Sequence, residues 1–228
     1  MDEYGYFIES PIGVEPKIVA RGSAEQCTVV LIESQGDDAS IWRAARVCKG
    51  GGFNPKIPGG DVLTQKLAAL WKARHCRCFE YARIVFGVRA PLWLVDHLRT
   101  YRAPFVSRSL RYCEPCGVYV PPRSLRKHDD PLQNVIQRAE NESLKAYEEL
   151  LRQGVAREEA RKVLSQAVHT ETVLPWDLRQ FFHACDERIH PAAQGMTRQV
   201  VEAMLELTEL AFPCAVAAYK EARNNARS

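Results

Sequence analysis

Arginine is the residue type with the most evident chemistry in this sequence. Four arginines lie within the fourteen residues 99–112, together with two serines and two tyrosines. A guanidinium group keeps its charge and donates two parallel hydrogen bonds, so it suits phosphate groups and planar polar rings. The apolar run 90–95 directly precedes this cluster and would hold it against a core. The pattern predicts an anion-binding site; the alternative is a solvated basic surface, as for most runs of charge.

Two further groups of arginines lie in the second half of the sequence. Arg157 and Arg161 are four residues apart and would share one face of a helix. Arg179 and Arg188 lie in a second segment of helical pattern, and for all four a solvated helix face is the alternative. The sequence has no nucleophile-elbow serine, no glycine-rich phosphate loop and no matched Cys–His pair. If the protein is an enzyme, we therefore expect a cofactor to supply the difficult step.

Composition is that of an ordinary soluble protein, with 46% hydrophobic and 26% charged residues. The net charge of +3 is too small to indicate binding to bulk nucleic acid. No apolar run approaches the roughly 18 residues of a membrane span, and the acidic N-terminus does not have the pattern of a secretory signal. We expect neither a nucleic-acid nor a membrane partner, and a cytoplasmic location in which the eight cysteines are free thiols.

One pair of cysteines has the spacing of metal ligands. Cys113 and Cys116 are three residues apart, as in half of a zinc site. No second Cys or His pair follows at a fitting distance, since His128 stands alone. Zinc is the less favoured interpretation, and we expect no metal.

The elements that position these residues follow from hydrophobic periodicity. Residues 1–24 have no clear period and are interpreted as an N-terminal extension or an edge element. Strands are predicted at 28–33 and 79–88, and the polar, Pro-rich segment 117–130 is predicted to be a mobile loop that closes over a bound ligand. Helices are predicted at 41–47, from Asp61, from Pro91, and then at 132–151, 156–166, 176–189, 193–211 and 213–225.

This order of elements predicts one domain over residues 1–228, of the α/β or α+β class. We adopt the α+β class, with a mixed or antiparallel sheet in the first half and a helical second half. No internal repeat or low-complexity tract argues against it.

Several motifs occur in an order that resembles the flavin-dependent thymidylate synthases, over about residues 27–225. The similar segments are 43–47 (that family's first helix), 72–86 with His75, Phe79 and Glu80 (its HxxPFEH-type stretch), 109–112 (the end of its signature), 153–164 (SGVPREVARxVLP) and Arg188 with Gln194 (RxxxHAQ). Several ordered matches along one chain are far more specific than any single one of them.

The sequence departs from that family at the signature. The differing positions are Thr100-Tyr101-Arg102 in place of an RHR triplet, His97 in place of a Gln, Ser107 near a Glu position and Leu110 in place of a Gly. The segment between the triplet and the signature serine is also one residue shorter. These differences imply altered recognition of sugar and flavin around an unaltered core chemistry.

The resemblance implies methylation of uracil C5 in a nucleotide without an enzymic nucleophile. It further implies FAD, methylenetetrahydrofolate as carbon donor, NADPH as the source of the hydride, and sites between the subunits of a homotetramer. Arg188 would be catalytic and polarise the uracil carbonyl and N3. The residues expected to bind the nucleotide are His97, Arg99, Ser107, Arg108, Ser109, Leu110, Arg111, Arg161 and Arg188. Those expected to bind the flavin are His75, Arg77, Glu80, Thr100, Tyr101, Arg102, Asp177, Arg179 and His183.

The altered signature bears on the choice of nucleotide. With Ser107 where the family has a Glu, and a shorter segment, more room is expected beside a ribose 2′-hydroxyl, so UMP would be accepted as well as dUMP. The pattern resembles the uridylate C5-methylases of polyoxin-type nucleoside antibiotic biosynthesis, and we favour this interpretation. The alternatives are a housekeeping synthase that acts on dUMP only and a catalytically inactive flavin- and nucleotide-binding paralogue.

Overall fold

One antiparallel sheet organises the part of the chain that this computed structural model describes, which is residues 13, 17–21, 24–117 and 131–225. Its strands are β1 (Lys17–Arg21), β2 (Ala24–Gln35), β3 (Arg83–Pro91), β4 (Val106–Ser107) and β5 (His169–Asp177). Their order across the sheet is β1-β2-β3-β5-β4, and every neighbouring pair is antiparallel. In the described part of the segment 1–24, β1 is an edge strand, which is one of the two alternatives predicted for this segment.

Helices cover the sheet and contain most of the second half. The α-helices of the described residues are α1 (Asp38–Val47), α2 (Gly60–Lys72), α3 (Leu92–Arg99), α4 (Pro131–Arg152), α5 (Arg157–Ala160), α6 (Leu178–Arg188), α7 (Gly195–Ala211) and α8 (Pro213–Asn225). The core lies where α6 and α7 pack on the sheet, and α2 packs on α8. Fully buried Phe86 of β3 and Phe181 of α6 have ring centroids 5.3 Å apart in this core.

Local sequence accounts for several helix boundaries. Asp37 and Ser40 form a reciprocal cap at the start of α1, in which the Asp37 carboxylate accepts from the Ser40 N–H at 2.7 Å. Such caps satisfy backbone donors that the first helical turn leaves unpaired. Helix α2 buries Leu63 and Leu67 on one stripe, as its periodicity predicts.

Strand β5 corrects the prediction of a wholly helical second half. It pairs with β3 along its whole length, from Asp177 opposite Arg83 to His169 opposite Pro91, and it also pairs with β4. Because its partners come from the first half of the chain, the contacts that make it a strand form only in the tertiary structure. The predicted α+β class with an antiparallel sheet is confirmed, and β5 is one of its central strands.

The predicted strand 79–88 begins later than expected. Residues Cys76–Tyr81 form a 3₁₀ turn, and β3 starts only at Arg83. The physical reason is Phe79, which turns into the core and packs edge-on against Trp71 with ring centroids 5.1 Å apart.

The predicted helix 156–166 is also shorter in the structure. It is the single turn α5, continued by a 3₁₀ turn over Arg161–Val163. The chain leaves the helical path because the Ser165 N–H donates to Ser143 Oγ on α4, at 2.9 Å. The predicted loop 117–130, with its lid role, lies outside the described residues except for Gly117. None of the helices described here is both long and apolar enough to cross a membrane.

Candidate active site

A cleft of about 770 Å³ opens where β5 ends and α6 begins. The residues that line it are Trp71, Arg74, Cys76, Glu80, Arg102, Asp177, Arg179, Gln180, His183 and Asp186. Its volume lies within the roughly 300–1,000 Å³ typical of small-molecule and cofactor sites. The cleft is therefore large enough for a nucleotide-sized ligand.

The cleft brings together five of the nine residues predicted to bind a flavin, which are Glu80, Arg102, Asp177, Arg179 and His183. Tyr101, which follows Thr100, lies beside the cleft, because its ring centroid is 6.1 Å from that of His183. His75 and Arg77 are exposed on either side of Cys76 and are not part of the lining.

The acidic side chains of the cleft have hydrogen-bond partners within the protein, whereas two of its arginines have no ion pair among the described residues. Its acidic side chains each accept a hydrogen bond from the protein: Glu80 from Arg179 (2.5 Å), Asp177 from the Gln180 N–H (2.9 Å) and Asp186 from Tyr219 (2.8 Å). Within the described part of the chain, Arg74 and Arg102 form no ion pair. These two guanidinium groups remain available to an anionic ligand.

Arg188 lies beside the cleft at the end of α6. Its guanidinium lies over the ring of Tyr101, 5.4 Å from the centroid, and its Nη2 is 3.4 Å from Thr100 Oγ1. The Tyr101 hydroxyl donates to Glu187 Oε2 at 2.8 Å. Burial, together with the Glu187 carboxylate, raises the pKa of Tyr101 well above its ordinary value. Tyr101 therefore stays neutral at physiological pH and supports Arg188 with an apolar face.

A polar chain links α3 to the edge of the sheet. Arg99 donates to Asp96 at 2.8 Å and to Ser107 Oγ at 2.6 Å, and Ser107 Oγ donates to Thr172 Oγ1 at 2.8 Å. His97 on the same helix lies 3.3 Å from Thr197 Oγ1 of α7. The small Ser107 side chain is therefore fixed by two hydrogen bonds, because its hydroxyl accepts one from Arg99 and donates one to Thr172.

The remaining predicted nucleotide ligands lie after β4. Ser109 accepts, through its carbonyl, from two backbone N–H groups of the turn that contains Leu110 and Arg111. The Arg111 guanidinium pairs with Glu158 of α5 at 2.9 Å, and both side chains are about half exposed. Arg161 follows on the next 3₁₀ turn and is exposed. Arg111 and Arg161 thus lie at α5, and Ser109 is two residues before Arg111 in the chain.

A carboxylate on β5 fixes the segment that carries these ligands. Glu171 accepts from Arg89 through one oxygen and from Arg108 through the other, each at 3.1 Å. The Arg108 N–H also donates to the Glu171 carbonyl at 2.8 Å. Glu171 and the two arginines that it binds lie near the start of β5, whereas the cleft lies at Asp177, where β5 ends. Extended strand between residues 171 and 177 spans about 20 Å.

Comparison with known proteins identifies the family. The family model described as "Thymidylate synthase complementing protein" matches residues 30–214. A flavin-dependent thymidylate synthase of Thermus thermophilus is 31% identical over an alignment of 207 residues that covers 85% of this chain and 75% of that protein. The chain belongs to the flavin-dependent thymidylate synthase family.

Solved structures of a UMP/dUMP methylase agree with the fold. The UMP/dUMP methylase PolB from Streptomyces cacaoi, bound with 5-Br dUMP, superposes with a TM-score of 0.78 and 26% identity, over 88% of this chain and 96% of that chain. The same protein bound with 5-Br UMP superposes with a TM-score of 0.74 over the same shares. This member of the family is accordingly a thymidylate synthase-like C5-methyltransferase.

The residues of the cleft fit the flavin on which this family depends. Arg74 and Arg102 supply free guanidinium groups of the kind that bind phosphate. Trp71 adds an aromatic surface to the lining. Nε of Arg188 is buried and has no hydrogen-bond partner among the described residues. Because buried donors are ordinarily paired, this orphan donor is suited to a planar polar ligand beside the cleft.

Sequence reasoning missed half of the cleft, namely Trp71, Arg74, Cys76, Gln180 and Asp186. A signal for Asp186 exists, because it follows Arg179 and His183 at positions i, i+4 and i+7 of one helix face. No pattern marks Arg74, which enters the cleft only through the turn that ends α2. The turn after α2 thus contributes to the lining of the cleft through Arg74, as the segment 100–102 does through Arg102.

Proposed function

We propose that the protein methylates C5 of the uracil ring of UMP and dUMP, with FAD as cofactor, methylenetetrahydrofolate as carbon donor and NADPH as reductant. The observation that carries this proposal is the likeness to a UMP/dUMP methylase over 88% of this chain and 96% of that chain. The family match supports the flavin. The cleft supports it independently, through its size and its free guanidinium groups.

Arg188 is the residue to which we assign the catalytic role. Its guanidinium is oriented by the Tyr101 ring and by Thr100, and its buried Nε is available for a ligand. A fixed cation beside the uracil carbonyl and N3 stabilises the negative charge that develops on the ring. FAD, when bound and reduced, supplies the hydride.

Ser109, Arg111 and Arg161 are the residues we assign to the nucleotide phosphate. A phosphate would compete with Glu158 for Arg111, and this costs little because a half-exposed ion pair contributes about 0–1 kcal/mol. Arg108, which precedes Ser109, pairs with Glu171, and Glu171 is about 20 Å along β5 from Asp177 in the cleft. We therefore propose that each complete site combines groups of two subunits, in a homotetramer.

Ser107, with Leu110, His97 and Arg99, is assigned to the sugar side of the nucleotide. The Ser107 hydroxyl is engaged by Arg99 and Thr172, so it holds the segment in place while presenting no bulk. A site of this kind discriminates weakly against a 2′-hydroxyl. This supports acceptance of UMP, and with it the prediction of a role in nucleoside antibiotic biosynthesis.

The second candidate is a synthase that acts on dUMP only. It is favoured by the higher identity to the Thermus thermophilus synthase, 31%, than to the UMP/dUMP methylase, 26%. In that case the protein would serve the thymidylate supply of the cell. The cytoplasmic location predicted from the sequence applies to both candidates.

One assay separates the two candidates. The full-length protein is incubated with FAD, NADPH, methylenetetrahydrofolate and either UMP or dUMP, and the nucleotide product is identified by mass. Formation of both methylated nucleotides supports the proposal. Methylation of dUMP alone supports the second candidate, and no product with either nucleotide, at full flavin occupancy, overturns both.

A further inference from the structure

Arg74 has a backbone conformation that its residue type disfavours. Its φ is 61°, and among the described residues every other positive φ belongs to a glycine. The left-handed conformation brings the Cβ of an L-residue too close to the following carbonyl oxygen, whereas glycine adopts it freely. Arginine at this position therefore costs stability.

The turn itself requires only a glycine. The His75 N–H donates to the Leu70 carbonyl at 2.9 Å, and the Arg74 N–H donates to the Trp71 carbonyl at 3.0 Å. These are the two bonds of a Schellman motif, which ends α2 and places Arg74 at the left-handed position that glycine usually occupies. Nothing in the backbone hydrogen bonding explains why the side chain is an arginine.

The position of the Arg74 side chain in the cleft accounts for the choice of an arginine. Arg74 lines the cleft together with Arg102 and Arg179. Arg179 is already paired with Glu80, whereas Arg74 is exposed and has no ion pair within the described part of the chain. A strained backbone that is retained at a cleft indicates a function of the residue there.

We propose that Arg74 binds the diphosphate of the dinucleotide cofactor, and that the left-handed turn after α2 is the means by which its guanidinium reaches the cleft. The guanidinium fork matches two phosphate oxygens, and Arg102 lies in the same cleft to bind beside it. This inference rests on the proposed flavin function. It assigns to Arg74 a role in binding that costs stability. Replacing Arg74 with glycine should therefore weaken cofactor binding and raise the stability of the fold.

The test compares the full-length protein with Arg74→Gly, Arg74→Ala and the control Lys145→Ala, which removes an exposed positive charge on α4, outside the cleft. Thermal midpoints are measured without flavin, and binding of FAD and of riboflavin, which carries no phosphate, is measured by flavin fluorescence. Arg74→Gly should raise the midpoint by about 2–4 °C, since it relieves the backbone. It should also weaken FAD binding about tenfold or more while leaving riboflavin binding unchanged, because only FAD offers a phosphate.

The two alanine variants separate the effects. Arg74→Ala keeps a Cβ at the strained position, so it should lose FAD affinity without the gain in midpoint, and Lys145→Ala should change neither. Unaltered FAD affinity in Arg74→Gly, equal losses for FAD and riboflavin, or a changed KM for NADPH or the folate alone would each overturn the assignment. Failure of the unsubstituted protein to bind FAD would instead overturn the proposed function itself.

Discussion

A single buried histidine should make the stability of this protein sensitive to acid. His169, the first residue of β5, is 93% buried, and its Nε2 has no hydrogen-bond partner among the described residues. Burial, followed by the nearby charge of Arg89, lowers the pKa of His169 from 6.5 to about 4. The folded protein thus holds this ring neutral, while the unfolded chain protonates it below pH 6.5.

The size of the effect follows from the two pKa values. The unfolded state binds the proton first, so stability is fully present above pH 6.5 and is lost as the pH falls towards 4. Each unit of difference in pKa is worth about 1.4 kcal/mol, which makes the expected loss about 3 kcal/mol over this window. This is a large share of the roughly 5–15 kcal/mol that stabilises a typical protein.

Urea unfolding between pH 4 and 8, at one fixed protein concentration, measures this loss. The unsubstituted protein is compared with His169→Leu, which cannot titrate, and with His190→Gln, which alters an exposed histidine. The free energy of unfolding of His169→Leu should fall less steeply with acid, so that the unsubstituted protein loses about 3 kcal/mol more than the variant between pH 8 and pH 4. Equal pH slopes for the unsubstituted protein and His169→Leu would refute the reasoning, whatever their absolute stabilities.

Three further predictions concern activity and assembly. Arg188→Ala should lower turnover by about a hundred- to a thousandfold, the equivalent of about 2.7–4 kcal/mol, because it removes the fixed cation beside the uracil. Arg188→Lys should restore little of this, since an ammonium group cannot copy the planar fork. Ser107→Glu should reduce kcat/KM for UMP more than for dUMP, by about 1–3 kcal/mol, because the added carboxylate crowds the 2′-hydroxyl. The purified protein should carry FAD and elute as a homotetramer, because one chain separates the cleft from the predicted phosphate ligands.

Each of these predictions has a control and a contrary outcome. Near-normal turnover of folded Arg188→Ala would place the catalytic cation elsewhere. Ser107→Ala separates lost hydrogen bonds to Arg99 and Thr172 from added bulk, and it should affect both nucleotides alike. Equal losses for UMP and dUMP in Ser107→Glu would count against a role at the ribose. A colourless monomer in the presence of excess FAD would contradict both the flavin and the assembly.

Local pattern was sufficient for much of the fold. The stripe of Leu63 and Leu67 predicts α2, and the predicted helix 41–47 lies within α1, which begins three residues earlier, at Asp38. These features depend on neighbours along one helix, so a sequence alone contains them. The family resemblance also implied Asp177, Arg179 and His183 as flavin ligands, and the cleft brings these three residues together.

Long-range pairing decided what the sequence did not reveal. Strand β5 exists because β3 and β4, from the first half of the chain, supply its hydrogen-bonding partners, and strand formation depends on such partners more than on intrinsic preference. Phe79 lies in a 3₁₀ turn and not in the predicted strand, because its burial against Trp71 stabilises the turn more than its local sequence pattern favours a strand.

The site divides in the same way. Its chemical character, arginines suited to anions with a cofactor to supply the difficult step, was present in the sequence, because residue type and family motifs are local properties. The sequence did not reveal that Arg74 lies in the cleft, because this position depends on one left-handed turn between two packed elements. The sequence also did not reveal the separation of the cleft from the predicted phosphate ligands, because the length of β5 between Glu171 and Asp177 sets it. Which residues meet in a site is a property of packing, and packing is settled only when distant segments of the chain come together.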